Sequence, residues 1–370
     1  MARRESILTA GDYALVQLAR WGAPLLRVLG ELEDDFFSKE LSKRKIEKPV
    51  FVTGLARSGT TMMLTLLSQA DGVATHRYRD FPLLFTPLAW NWFQDRIGAD
   101  TGEARERPHR DRIRITKESA DAFEEPLWQA FFRGAHDPAC CHVLDALTRN
   151  PEFEACFASH LRKILLLRRG TRYVSKGNYN VARIAYLARL FPDARFVIPV
   201  REPVAHVSSL VRQHELFCRY AGGDRRVPAY LEAAGHYEFG PQRRPINLDP
   251  ARIGEIEWAW RAGDDAGGYA RQWAQVYGHV ERLRRETALA GRVMVVRYED
   301  ACARPQELRE ELLEFCGLTD AAGKVAAAAA TLSAAKPDSI HERTAQTVWS
   351  QAGSVASLYG YEPPLIAKAA

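Results

Sequence analysis

The stretch FVTGLARSGTTMMLTLL, Phe51 to Leu67, gathers residue types suited to holding an anion. Gly54 and Gly59 set a Gly-x-x-x-x-Gly frame, and Thr60 and Thr61 follow it. A glycine-rich turn at the end of a strand exposes consecutive backbone N–H groups, and the next helix aims its positive end at the same spot. Thr60 and Thr61 add hydroxyls, and Arg57 adds a planar guanidinium suited to phosphate oxygens. Arg57, Ser58, Gly59, Thr60 and Thr61 together read as an anion cradle. Thr60 stands where a nucleoside-triphosphate loop carries lysine, so a γ-phosphate would lose its usual partner.

A second group lies further on. The apolar run RFVIPV (195–200) ends in Arg201, Glu202 and Pro203. Metal-dependent nucleotide hydrolases need an acidic residue at such a strand end to position Mg²⁺. An arginine there attracts a second phosphate and repels a cation. Ser209 follows Arg201 by eight residues, roughly two helical turns, so its hydroxyl can face the same anion. Ser208 is its one-residue alternative. The sequence thus offers two anion sites and no metal site.

Elements of matching period must hold these sites. PVFVTG (49–54) is a short strand, and Met63, Leu66, Leu67 and Ala70 mark the face of the helix after the loop. RYVSK (172–176) is a strand ending in Lys176, followed by a helix carrying Val181, Ile184, Ala185 and Ala188. Pro203 suits a first helical turn. RVMVVRY (292–298) is a further strand ending in Tyr298, and Pro305 opens a helix with Leu308, Leu312 and Phe315. Strands that are nearly continuous apolar runs, alternating with helices, predict an α/β fold with a central parallel sheet covered on both faces.

Interruptions near 80–170 and 212–290 are expected as helical insertions at the binding edge of one domain spanning 49–318. Residues 1–48 read as a helical segment with an apolar face at Leu25, Val28, Leu29 and Leu32. Core packing is the expectation for that face, and contact with a membrane surface is the alternative. The tail, 319–370, should pack on the same domain, with a helix at VAAAAA and then an extended stretch.

Composition bounds the function. The 46% hydrophobic and 26% charged residues match an ordinary globular protein. A net charge of +5 permits an anionic ligand but falls short of a nucleic-acid binder. The six cysteines show no CxxC spacing, so reduced thiols are expected. No apolar run reaches the ~18 residues of a membrane span. Asp12 and Arg20 interrupt any signal-peptide core, which makes the cytoplasm the expected compartment.

The motifs also carry a resemblance. GLARSGTT resembles the 5′-phosphosulfate loop of sulfotransferases that use 3′-phosphoadenosine 5′-phosphosulfate (PAPS), and VREPVAHVSSL resembles their 3′-phosphate motif. VVRYED followed by ARPQELREELLEFCGL resembles the strand and helix near the family's C-terminal end, so the match covers about 50–318. The resemblance implies a P-loop-like sulfotransferase fold with PAPS as donor, adenosine 3′,5′-bisphosphate (PAP) as product and no metal requirement. The acceptor would present a hydroxyl, with an amine second, on a carbohydrate, lipid or small metabolite. Arg57 and Lys176 would stabilise developing charge, although the Gly177-Asn178 that follows departs from the family's commoner Lys-x-Pro. Arg201 and Ser209 would hold the 3′-phosphate, and Tyr298 would lie near the nucleotide.

A Glu or His generally serves as base in the family, shortly after the loop's helix. Here that segment, THRYRDFP, has no Glu, and Asp80 is the expected base. His76, His109, Glu124 and Glu125 are the alternatives. Trp90, Trp92, Trp258, Trp260 and Trp273 fall in or beside the insertions, where packing is expected before an acceptor platform. Two rivals remain: a P-loop kinase, which would require Mg²⁺, and a non-catalytic module that binds an adenine nucleotide.

Overall fold

A computed structural model of the chain describes residues 8–98, 104–111, 113–332 and 341–364. Alternation along its first strand, β1 (Val50–Val52), already defines the layers. Phe51 faces a core that includes Phe157, Tyr173, Phe196 and Tyr277. Val50 and Val52 face the opposite core, with Met63, Leu66, Leu312 and Cys316. A strand whose successive side chains enter two different cores must be central.

The partners of β1 follow in chain order as β2 (Val73–Ala74), the short hairpin β3 (Arg105–Glu106) and β4 (Arg114–Ile115), β5 (Arg172–Lys176), β6 (Arg195–Val200) and β7 (Val293–Arg297). The main sheet runs β2-β5-β1-β6-β7, and every neighbouring pair in it is parallel. Four of its strands, β1, β5, β6 and β7, coincide with strands read from the sequence. The chain leaves β1 toward β2 on one side and later returns to β6 on the other, which opens a crevice at the carboxyl ends of the strands.

Register fixes what lines that crevice. Val52 pairs with Lys176 of β5 and with Val197 of β6. The loop after β1 therefore rises between Lys176 and the end of β6. Thr53 ties it down on both sides: its N–H donates to the Val197 carbonyl at 3.0 Å and its hydroxyl to the Gly177 carbonyl at 2.7 Å.

Three helices precede the sheet: α1 (Ala10–Trp21), α2 (Ala23–Phe36) and α3 (Ser38–Leu41). Here the structure corrects the core-packing expectation. Leu25 is 63% exposed, Leu32 58%, and Val28 and Leu29 are exposed with them. The helices instead attach by their other face, where the buried Lys163 ammonium donates to the Gly30 carbonyl and pairs with Glu33. After the loop come α4 (Thr60–Leu67) and then, in the first insertion, α5 (Pro87–Arg96), α6 (Glu125–Phe131) and α7 (Pro151–Leu167). The small α8 (Ile184–Leu190) leads to β6 and α9 (Pro203–Gly223). Glu202 caps α9, accepting from the N–H groups of Val204 at 3.0 Å and Ala205 at 2.6 Å.

The tail contributes more structure than its composition suggests. Beyond the expected helix Lys324–Ala330, a further helix covers Glu342–Ala356. The Tyr361 hydroxyl then donates to the Val200 carbonyl at 3.2 Å, so the C-terminal segment touches the end of β6. Among the five insertion tryptophans the outcome is mixed. Trp273 is fully buried, whereas Trp92 and Trp258 are 56% and 66% exposed.

Candidate functional site

The loop between β1 and α4 adopts backbone conformations that fit a cradle. Gly54, Arg57 and Gly59 have φ of 142°, 71° and 112°. For Arg57 this left-handed geometry is a strained state of the kind that surrounding structure holds in place at binding sites. Gly59 has no substitute, because a Cβ there would sit 3.1 Å from the Tyr298 ring. Ser58 is fully buried, and its N–H donates to the Leu55 carbonyl at 3.3 Å, which tightens the turn. No side chain caps α4, which leaves its first N–H groups facing the crevice.

One brace of this loop has no signature in the sequence. His206, on the first turn of α9, is fully buried and its Nε2 donates to the Ala56 carbonyl at 2.8 Å. Burial pushes its pKa down to about 3, so it stays neutral and acts as a fixed strut.

The two anion sites meet. Arg57 Nε donates to Ser209 Oγ at 3.4 Å, and Arg201 Nη1 lies 3.5 Å from the Arg57 carbonyl. Arg201 stacks over Tyr298, its guanidinium 4.8 Å from the ring centroid. Its buried Nε has no hydrogen-bond partner among the described residues. Ser208 instead donates to the Val204 carbonyl of its own helix at 2.8 Å. Of the two serines, Ser209 faces Arg57.

On the other side, Lys176 Nζ donates to Thr61 Oγ1 at 3.0 Å and to Asp121 at 3.2 Å. Burial opposes the charge on Asp121, but Lys176 and Arg107 outweigh it and hold this carboxyl far below the usual carboxylate range. Asp111 bridges Arg57, at 2.7 Å, and Arg107. Its ionisation likewise survives burial because of these two guanidiniums. A carboxylate from the first insertion thus neutralises the loop's arginine.

Asp80, the expected base, lies among tightly bound partners. It is completely buried, accepts from Arg168 Nη2 at 2.5 and 2.6 Å, from Asn91 at 2.9 Å and from the Arg77 N–H at 2.8 Å. A carboxylate so engaged has no lone pair open to a substrate. The alternatives fare no better. His76 is buried against His160 at 2.7 Å, with burial pushing its pKa to about 4. His109 is bonded to Gln213 at 2.6 Å, and burial together with Arg107 and Arg57 lowers it to about 3. Glu124 is buried with Tyr173 and Asn180, and Glu125 is locked between Arg183 and His136.

A different pair reaches the cradle from the second insertion. Thr60 Oγ1 lies 3.3 Å from Asn178 Oδ1, and Asn178 Nδ2 donates to Glu238 Oε1 at 2.8 Å. Glu238 Oε2 lies 3.3 Å from Nδ1 of His236, whose side chain is 40% exposed. Burial lowers the His236 pKa, but Glu238, with help from Asp121, raises it further than that, above the ordinary imidazole value. The carboxylate also fixes the tautomer that leaves Nε2 open. His236 and Glu238 lie in a Gly- and Arg-rich stretch without period. The His-x-Glu spacing after Gly235 was the only local signal. Among the described residues no group of three or more His, Cys, Asp and Glu side chains is placed to hold a metal ion.

Parallel sheet, glycine-rich loop and twin arginines define an α/β protein with a cationic crevice at the carboxyl ends of its strands. The chain belongs to the sulfotransferase family, whose model matches residues 49–238, more than half of its length. Among solved structures it is similar to a sulfotransferase of Mycobacterium tuberculosis, with a TM-score of 0.50, 15% identity, and coverage of 95% of this chain and 88% of that chain. For a sulfotransferase of Mycobacterium avium the TM-score is 0.47 at 14% identity, covering 90% of this chain and 82% of that chain. The first likeness bears on the fold alone. No curated protein sequence matches the chain.

Proposed function

We propose that the protein transfers the sulfuryl group of PAPS to a hydroxyl of a carbohydrate, lipid or small metabolite, releasing PAP. The observation that carries this reading is the contact between Arg57 and Ser209, which joins two anion sites in one crevice. A donor phosphorylated at both the 5′ and 3′ ends fits two such sites, and a triphosphate does not need the second. Gly54 to Thr61 would hold the 5′-phosphosulfate with backbone N–H groups. Arg201 and Ser209 would take the 3′-phosphate, and Tyr298 would border the nucleotide.

When bound, the donor supplies an activated S–O bond. Arg57 and Lys176 would neutralise the charge that gathers on the departing phosphate oxygens, a pre-set electrostatic stabilisation. His236 would accept the acceptor's hydroxyl proton at Nε2, with Glu238 holding the imidazolium that results. The proton leaves the acceptor oxygen as that oxygen forms its bond to sulfur.

The test is transfer of label from ³⁵S-PAPS to a panel of alcohols, sugars and lipids, followed by chromatography. Radiolabel on an acceptor together with stoichiometric PAP supports the reading. Tight PAP binding with no labelled product on any acceptor, or phosphoryl transfer from ATP instead, overturns it.

A further inference from the structure

The exposed face of α1 and α2 has no place in the chemistry above. Gly22 joins the helices with i→i−4 bonds on both sides, its N–H to Leu18 and its carbonyl to Leu26, each 2.8 Å. The apolar positions therefore continue on one stripe. Trp21, Leu25, Val28, Leu29, Leu32 and Phe36 are each between 41% and 80% exposed. At 3.6 residues per turn they fall within an arc of about 100°. Together they leave on the order of 800 Å² of apolar surface in water, above the ~300–600 Å² of the largest patch on a typical monomer. That is also about the ~800 Å² that each partner brings to an ordinary stable interface.

We infer that this stripe is a two-fold interface with a second copy of the same chain. Its spacing is self-complementary. Reversing the helix about the point between Val28 and Leu29 places Trp21 on Phe36, Leu25 on Leu32, and Val28 on Leu29. An isologous contact requires this, since a patch that packs on itself must read the same from both ends. Apolar residues three and four apart over so narrow an arc suit the seam between two helices. The charges disfavour an anionic membrane. Arg20 and Arg27 are committed to Glu232 and Glu152, while the exposed acids Glu31 and Asp35 flank the stripe. Helices that lie on membranes carry free Lys and Arg there.

Light scattering of the full chain at on the order of 10 μM should give twice the 41.6 kDa of one chain. Leu25→Glu with Leu32→Glu should halve that mass while leaving the circular-dichroism spectrum and PAP affinity unchanged, since both residues face solvent in the single chain; the thermal midpoint should fall and lose its dependence on concentration. Register is tested by cysteines placed in a Cys140→Ser, Cys141→Ser background. Val28→Cys should cross-link to itself under mild oxidation. Trp21→Cys should do so only when mixed with Phe36→Cys. A single-chain mass at every concentration overturns the inference, as does a dimer that survives the double glutamate variant. So would a monomer captured by phosphatidylglycerol vesicles and released by Leu25→Glu, which would assign the stripe to lipid.

Discussion

Arg57 Nε lies 3.4 Å from Ser209 Oγ, so the turn after β1 and the helix after β6 meet at one point. Arg57 is also held by Asp111 at 2.7 Å, so a phosphate that pairs with this guanidinium competes with that carboxylate. Donor binding must break or stretch this pair, and the cost appears in the affinity.

Asp111→Asn should therefore tighten PAP binding. Removing one competing charge from Arg57 and Arg107 is worth about 0.5–1.5 kcal/mol, or roughly two- to tenfold in Kd. Calorimetry at low salt measures it. Weaker binding would mean that Asp111 positions Arg57 for the ligand.

His236→Gln should lower kcat by about 10²–10⁴ and leave PAP affinity close to wild type, because proton removal matters in the transition state. The pH profile carries the sign. Neutral imidazole is the active form, so the rate rises with pH through the His236 pKa, which Glu238 lifts above the ordinary imidazole value. Glu238→Gln should move that rising limb to lower pH. An unchanged profile in both variants excludes His236 as the base.

Asp80→Asn should act on stability. It leaves Arg168 buried without its counter-charge, and breaking a buried ion pair costs about 3–5 kcal/mol. Urea unfolding should show that loss, while kcat of the folded protein changes by less than about tenfold, short of a missing base. A stable variant with kcat lower by a factor of roughly 10² or more would restore Asp80 to the reaction.

Much of the fold was legible because β1, β6 and β7 are nearly continuous apolar runs, and the mixed RYVSK still carries the β-prone Tyr173 and Val174. The two-residue β2 and the hairpin carry too few positions for any period. Arg57, Arg201 and Ser209 follow strand ends and Lys176 closes one, so the register brings these four positions to one side of the sheet. The surroundings of Asp80 were not legible. Nothing in THRYRDFP announces Arg168, which lies 88 positions away and takes both carboxylate oxygens. His236 and Glu238 escaped notice because their link to Thr60 runs through Asn178, a contact that only the folded chain creates. Leu25 and Leu32 have helix spacing whether they face a core or water, so period alone cannot assign the side.

The central claim is that this crevice reads two separated phosphates, and Arg201 tests it most directly. Arg201→Ala should weaken PAP by about one to two orders of magnitude, the worth of a charge-assisted hydrogen bond of roughly 1.5–3 kcal/mol. Adenosine 5′-phosphosulfate, which lacks the 3′-phosphate, should bind both proteins almost equally. Ser209→Ala should show the same selectivity with a smaller loss, and Ser208→Ala none. Calorimetry in the presence of EDTA gives these affinities. Equal weakening of both ligands by Arg201→Ala, or ATP binding more tightly than PAP and only with Mg²⁺, would contradict the account.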